Sequence, residues 1–426
     1  MVAFSSSDVH IAIIGLGYVG LPLALALARH YPVIGFDTDG ERLADLKGGE
    51  DRTGEISPAD LEASSLAFAA RSDELANCNL FIVTVPTPID EDNTPDLSAL
   101  VAASRDVGAV ISTGCVVVFE STVYPGATED VCGPEIERAS GMVCGEDFFL
   151  GYSPERINPG DKEHTIDRIT KVVAGQTPKV AALLRDIYGG ALYGGVHVAP
   201  DIRTAEAAKV IENAQRDINI AFINEVTMIF QRLGLDTQAV LAAARTKWNF
   251  LDFQPGLVGG HCIGVDPFYL AHAARIIGHD PEVILSGRRI NDSMAIFAAR
   301  RISAQLPDKA RVLVLGLTFK ENVTDLRNSK IADLIDALKA GGHTVDVHDA
   351  VAHPAEARLH YGIELIGDLS ACSDYDGVVG AVQHDAYRDI SAESLLALIK
   401  PDGLLADIKG MWRHREFGPK VRYWQL

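Results

Sequence analysis

The chain has 426 residues, 47% hydrophobic and 23% charged, with a formal net charge of -20. That length exceeds one ordinary domain and implies two or three, with room for a large core. The negative charge disfavours nucleic acid and anionic membrane surfaces, which need clustered Lys and Arg, so an anionic ligand must be met by a local basic pocket.

No basic n-region precedes the first strand pattern, so no signal peptide is read, and no stretch reaches the ~20 apolar residues of a membrane span. The six cysteines, at 78, 115, 132, 144, 262 and 372, include no CxxC pair. A zinc site and a disulfide framework are both disfavoured. The expected setting is the cytoplasm, with reduced thiols, no metal, no nucleic acid and no membrane.

Ile11 to Ile14 reads as a buried strand, Val19 to Arg29 as a helix with Pro22 tolerated in its first turn, and Val33 to Phe36 as a second strand. Further strands are predicted at Leu80 to Val85, Val116 to Phe119, Phe148 to Tyr152 and Val172 to Ala174. Strands alternating with helices argue for a parallel, doubly wound sheet. A helical pattern without Pro or internal Gly then runs from about Asp201 to Leu233, long enough to connect domains or to form a dimer interface.

Gly and Pro crowd between Pro255 and Pro267, and helical patterns resume to about Ala310. A second α/β segment follows. Arg311 to Leu315 is a strand entering a turn at Gly316. Ile331 to Ala340 is a helix closed by Gly341-Gly342, and Thr344 to Val347 is a strand running into His348-Asp349. The expected fold is α/β: two Rossmann-like doubly wound domains joined by a long central helix and a helical middle segment. The expected divisions are residues 1–200 for a cofactor domain, 201–305 for a central dimerisation domain, and 306–426 for a second nucleotide-binding domain.

Gly15-Leu16-Gly17-Tyr18-Val19-Gly20 fits G-x-G-x-x-G between a strand and a helix, and Asp37 ends the second strand at the expected offset of ~20 residues. The glycines permit a tight turn and close approach to a pyrophosphate, to which the helix N-terminus offers N–H groups. Asp37 can accept from both ribose hydroxyls and would repel a 2′-phosphate, so NAD is expected rather than NADP. Arg42, one helical turn further on, is the cation that weakens this preference and is counted with the cofactor residues.

In the glycine-rich run, Cys262 is the candidate nucleophile. Three glycines precede it within the segment from Pro255, the backbone can wrap closely around a ligand there, and a helix expected near Asp266-Pro267 would stabilise a thiolate. His261 is a neighbouring base whose side chain is expected to point away. The other five cysteines are read as ordinary structural residues.

With both sites in one chain, the sequence resembles the UDP-glucose/GDP-mannose dehydrogenase family along essentially its whole length. The motifs are the glycine turn, Thr84-Val85-Pro86-Thr87-Pro88, Glu120-Ser121-Thr122, Ser153-Pro154-Glu155-Arg156, Lys209-x-x-x-Asn213, Gly259-Gly260-His261-Cys262-x-x-x-Asp266, and Thr318-Phe319-Lys320 followed by Asp325-x-Arg327.

The resemblance implies four-electron oxidation of a sugar C6 hydroxyl to a carboxylate with two NAD, through a thiohemiacetal and a thioester on Cys262. It implies that Lys209 and Asn213 stabilise the oxyanion, that Asp266 orients Lys209 and a water, and that Glu155 and Thr122 position or activate the hydrolytic water. Lys209 and Asn213 are four apart and share a helix face, which by itself is equally compatible with a solvated face. Cofactor contacts are implied for Gly15, Gly17, Tyr18, Val19, Gly20, Asp37, Arg42, Thr84, Pro86, Thr87, Thr122 and Arg327. Substrate contacts are implied for Glu155, Arg156, Asn158, Lys209, Asn213, Lys247, Gly256, Gly259, Lys320 and Arg413, with Lys409 a lesser candidate beside Arg413.

Glucose-oxidising relatives usually carry a Lys directly before the Asp that follows the cysteine; this chain has Val265. Together with Thr246-Lys247-Trp248-Asn249-Phe250, that wording is similar to bacterial enzymes acting on UDP-N-acetylhexosamines for capsule or O-antigen synthesis. UDP-N-acetylglucosamine is the expected substrate, with the galactosamine and mannosamine epimers and UDP-glucose as alternatives. Where relatives supply an Arg from a partner subunit, this chain offers Arg245 or Lys247. The expected assembly is a homodimer. Two other classes remain at this point: a two-electron hydroxyacid dehydrogenase, which would release one NADH per substrate rather than two, and a nucleotide-sensing protein without activity.

Overall fold

The computed structural model describes residues 2, 4–157, 163, 165–260, 263–419 and 421–426. His261, Cys262 and Asn158 lie outside the described residues. Two compact units emerge: Met1–Glu212 with Phe268–Asp280, and Asn213–Pro267 with Pro281–Leu426.

The first unit is built on an eight-stranded sheet. Its strands are β1 (Ile11–Ile14), β2 (Val33–Phe36), β3 (Ala67–Ala69), β4 (Leu80–Val83), β5 (Val116–Phe119), β6 (Phe149–Tyr152), β7 (Lys171–Gly175) and β8 (Val196–Val198). They lie in the order β3-β2-β1-β4-β5-β6-β7-β8. The reversal of strand order beside β1 is a topological switch point, the crevice where open α/β sheets bind ligands. Helices of this unit include α1 (Gly20–Ala28), α2 (Gly40–Lys47), α3 (Pro58–Glu62), α4 (Ser98–Val110), α5 (Gly133–Ser140) and α6 (Pro178–Ala191). β1, β4 and β5 are buried throughout, as strands covered on both faces must be.

One pairing departs from the all-parallel expectation. β7 runs antiparallel to β6, with Gly151 opposite Gly175 and Tyr152 opposite Ala174. A parallel return needs a crossover, usually a helix, and none is found among the described residues between these strands. β3 and β8, each of three residues, carry no pattern long enough to be predicted.

The long helix is α7 (Ile202–Leu233, 32 residues), and the helix expected after the glycine-rich loop is α9 (Asp266–Ile276), with α8 (Thr237–Ala244) between them. α10 (Glu282–Ser303) and α11 (Lys330–Ala340) belong to the second unit. That unit holds an entirely parallel sheet of β9 (Arg311–Leu315), β10 (Thr344–His348), β11 (Tyr375–Gly380), β12 (Ile399–Asp407) and β13 (Arg422–Gln425), ordered β10-β9-β11-β12-β13. Among the described residues no helix is long and apolar enough to cross a membrane.

Candidate active site

The turn from β1 into α1 is closed on its inner side and open on its outer side. A Cβ on Gly20 would sit 1.9 Å from the carbonyl oxygen of Gly15 and 2.4 Å from Thr84 Oγ1, so only glycine fits there. A Cβ on Gly17 would meet nothing within 4 Å. The turn thus offers an unobstructed face beside a helix N-terminus, which fits the pyrophosphate of a dinucleotide. Tyr18 and Val19 are half-buried beside it.

Asp37 stands where expected, and its carboxylate also braces the turn. Oδ2 accepts from the Leu16 N–H at 2.7 Å and Oδ1 from the Asp39 N–H at 2.9 Å. Arg42 needs a correction. Its side chain is buried, Nε donates to the Leu16 carbonyl at 3.0 Å, and the guanidinium pairs with Asp51 at 2.8 Å. It supports the glycine turn from within rather than facing a cofactor phosphate, so it does not weaken the preference for NAD. Thr84 is similar: Oγ1 donates to the carbonyls of Ile14 and Gly15 at 3.0 and 2.7 Å, fixing the turn's shape. Pro86 is exposed and Thr87 half-buried on the following segment, which Tyr269 anchors through a 2.9 Å hydrogen bond to the Thr87 carbonyl.

The carboxyl ends of β5 and β6 bring Thr122 and Glu155 onto the same edge of the sheet as the glycine turn. Thr122 is half-buried and Glu155 buried. Glu155 Oε1 accepts from the N–H groups of Arg156 and Ile157, both at 2.6 Å, while Oε2 faces Lys171 Nζ at 3.0 Å. Behind it lie Glu120, which the sequence showed only as part of a motif without a role, and Tyr188, which it did not single out. Arg156 pairs with Glu212 at 2.8 Å and donates to the Thr170 carbonyl at 3.0 Å. Lys209, on α7, is 8% exposed.

In the second unit Asn213 Nδ2 donates to Asp266 Oδ2 at 2.5 Å, and Asp266 is 1% exposed. The described part of the glycine-rich loop is held by side-chain amides. Asn224 exchanges two hydrogen bonds with the backbone of Gly256, at 2.8 and 3.0 Å, and Asn328 donates to the Gly260 carbonyl at 2.9 Å. Gly260 has a φ of +84° and lies so close to the Phe319 ring that a Cβ would approach it to 2.8 Å. Gly259 packs against the Asn328 carbonyl. A cavity of about 200 Å³ is lined by Gly256, Leu257, Val258, Lys409 and Gly410 among others.

Lys409, the lesser candidate, lies on that cavity; Arg413 is half-buried and donates to Gln238 at 3.1 Å. Lys320 is half-buried and Lys247 exposed. Arg327 lies exposed and makes a two-point pair with Asp325 at 2.9 and 2.7 Å.

The second sheet repeats the first turn's construction. Asp349 follows β10, and its Oδ2 accepts from the Leu317 N–H at 2.6 Å, as Asp37 does from Leu16. Here, however, Asp349 also accepts from Thr318, Val351 and Ala352 and faces His384 Nε2 at 3.2 Å. His384 Nδ1 accepts the Asn322 N–H at 2.9 Å, so Nε2 carries the proton toward Asp349.

Three models of one family match in order: its NAD binding domain at residues 9–191, its central domain at 203–293 and its UDP binding domain at 313–414. The chain belongs to the UDP-glucose/GDP-mannose dehydrogenase family. Within that family it is 49% identical over 423 residues to Protein CapL of Staphylococcus aureus, covering 98% of this chain and 99% of that one. It is 51% identical over 409 residues to a UDP-N-acetyl-D-glucosamine 6-dehydrogenase of Pseudomonas aeruginosa, covering 94% and 97%. Among solved structures, a UDP-D-ManNAc dehydrogenase of Pyrococcus horikoshii superposes with a TM-score of 0.86 at 28% identity, covering 97% and 98%. The chain is an NAD-dependent nucleotide-sugar dehydrogenase. NAD, when bound, supplies the hydride acceptor.

Glu120 and Lys171 had a trace in the sequence. Each abuts an apolar run that forms a buried strand, Val116 to Phe119 and Val172 to Ala174, where an unpaired charge is costly.

Proposed function

We propose that this enzyme oxidises the C6 hydroxyl of a UDP-N-acetylhexosamine, UDP-N-acetylglucosamine first among them, to the uronic acid by four-electron chemistry on Cys262. The observation that carries the substrate is the 51% identity over 409 residues with the Pseudomonas aeruginosa UDP-N-acetyl-D-glucosamine 6-dehydrogenase, against 31% over 402 residues with the UDP-N-acetyl-D-mannosamine dehydrogenase of Pyrococcus horikoshii. Val265 in place of a Lys agrees with it.

In this reading the C6 hydroxyl loses a proton and a hydride to give the aldehyde. The Cys262 sulfur adds to C6, and loss of a second hydride leaves a thioester. Lys209 and Asn213 stabilise charge on the reacting oxygen. Asp266 orients Lys209 and a water, and its hydrogen bond from Asn213 ties it to the second of the two oxyanion residues. Glu155 and Thr122 serve the water that cleaves the thioester. Gly15, Gly17, Tyr18, Val19, Gly20, Asp37, Pro86, Thr87 and Arg327 hold NAD. Lys247, Gly256, Gly259, Lys320, Arg413 and the Arg156–Asn158 segment serve the sugar nucleotide, whose diphosphate needs these cations on an acidic protein.

The functional parts are residues 1–200, 201–305 and 306–426. The enzyme works in the cytoplasm, supplying capsule or O-antigen synthesis, as a homodimer. Exposed Phe222, Ile229 and Leu233, at helical spacing on α7, support the dimer as an apolar face for a second copy.

A panel of UDP-sugars assayed by NADH formation tests the substrate, with two NADH released per sugar. Higher kcat/KM with UDP-glucose than with any N-acetyl sugar would overturn the assignment. Turnover of Cys262→Ser at the parent rate would overturn the covalent route.

A further inference from the structure

Four polar side chains meet inside the first unit, behind Glu155. Glu120 follows β5, Glu155 follows β6, Lys171 opens β7, and Tyr188 lies on α6. Lys171 Nζ is 2.6 Å from Glu120 Oε2 and 3.0 Å from Glu155 Oε2. Tyr188 Oη donates to the remaining Glu120 oxygen at 2.5 Å. The side chains of Glu120 and Lys171 are wholly buried, whereas that of Glu155 is 9% exposed. Of the three charged groups, only Glu155 reaches the surface, on the edge of the sheet that carries the glycine turn.

Stability is a poor reason for such a cluster. Two carboxylates against one ammonium leave an excess negative charge in a low-dielectric interior, and well-packed apolar residues often do as well or better. Burial pushes the Glu120 carboxyl up, Lys171 pulls it back, and Glu155 raises it again. Burial opposes the charge on Lys171, but Glu120 and Glu155 outweigh it and hold the ammonium protonated. With Glu155 Oε1 fixed by two backbone N–H groups and Oε2 by Lys171, the carboxylate has no free rotor.

We propose that Glu120, Lys171 and Tyr188 are positioning residues that act through Glu155, holding its carboxylate in one orientation for the water-consuming half of the reaction. The inference rests on the assignment of Glu155 to that step and adds the residues behind it. In the step, the water oxygen bonds to the acyl carbon and the carbon–sulfur bond breaks. Cys262 leaves as a thiolate, and one water proton passes to Glu155 and on to solvent. An acceptor held in place avoids the loss of alignment that a freely rotating carboxylate would bring.

The test uses the full chain with whichever UDP-sugar turns over, comparing Glu155→Gln, Glu120→Gln and Tyr188→Phe. Acid-quenched protein is weighed by intact-mass spectrometry alongside steady-state kinetics. Glu155→Gln should accumulate the sugar-acyl adduct. Glu120→Gln should accumulate the same adduct, with kcat down about 10- to 100-fold and kcat/KM for the sugar nucleotide within about two-fold, because slowing only the last step lowers kcat and KM together. Tyr188→Phe, which removes one oxygen and keeps the ring, should show the adduct at a smaller loss of kcat and carries the test if Glu120→Gln does not fold. If Glu155→Gln stalls but Glu120→Gln and Tyr188→Phe turn over like the parent, the positioning role is overturned and the role of Glu155 stands. A rise in KM alone in Glu120→Gln likewise overturns it. Parent-like turnover in Glu155→Gln overturns both.

Discussion

The side-chain amide of Asn213 donates to the Asp266 carboxylate over 2.5 Å, linking α7 to the first residue of α9. Two residues 53 apart in the chain are thereby set in one fixed geometry. Because Asp266 is 1% exposed, its charge is held by hydrogen bonds rather than by water. Replacing it with Asn keeps the shape and removes the charged acceptor. A hydrogen bond to a charged group contributes roughly 1.5–3 kcal/mol, so kcat of Asp266→Asn should fall about 10- to 100-fold, read as NADH formation. A parent-like kcat would show that this contact does not serve catalysis.

Asp37 and Arg42 should separate cleanly in cofactor assays. Asp37→Ala should raise the KM for NAD about ten-fold or more and improve relative use of NADP, because the carboxylate that repels a 2′-phosphate is gone. Arg42→Met should leave the NAD-to-NADP ratio unchanged and instead destabilise the fold, by about 3–5 kcal/mol for breaking a buried pair. Urea unfolding together with kinetics on both cofactors checks this. A changed cofactor ratio in Arg42→Met would return that residue to the cofactor.

These two residues also show how far the sequence carried. The turn, Asp37, α7 and the start of α9 were legible because each rests on local periodicity or on turn residues within about 20 positions. Arg42 was misjudged because what consumes it, the Leu16 carbonyl and Asp51, depends on how two neighbouring loops fold together. That Glu120, Glu155, Lys171 and Tyr188 meet was invisible for a stronger reason. It forms only when β5, β6 and β7 lie side by side, and one of those pairings is antiparallel. No spacing rule along the chain encodes that.

Thiol chemistry gives another test. Burial pushes the Cys78 thiol up to about 11, with Cys115 adding to it, and pushes Cys132 up to about 12 against a hydrogen bond from Ser104. Both should stay protonated and unlabelled by iodoacetamide at pH 8 in the native protein. Peptide mapping should find the label on Cys262, with activity lost in proportion and protection by sugar nucleotide. Full inactivation with Cys262 unlabelled would exclude it as the reactive thiol.

Acid should loosen the second unit through His348. Burial holds this histidine below its ordinary range, against Asp349 and Asp368 and with some help from His384. A folded-state pKa below the unfolded value of about 6.5 means that the unfolded chain takes up the proton first. Stability from this group is therefore complete above about pH 6.5 and is lost as pH falls through that window toward the folded value. Between pH 7 and 5.5 the Tm should drop, and His348→Gln should flatten the drop by about 1–3 °C. An unchanged pH slope in the variant would remove His348 as the source.

The second turn has a consequence for how the two nucleotides are kept apart. A carboxylate offers about four acceptor sites. Asp37 gives two of them to backbone N–H groups, leaving lone pairs for a ribose. Asp349 receives four backbone N–H groups and the proton of His384, so none is left over. A second dinucleotide would find at this turn a saturated acceptor where it needs an open one. Excess NAD should therefore leave the KM for the sugar nucleotide untouched, because the same architectural device serves in one place as a receptor and in the other as internal masonry.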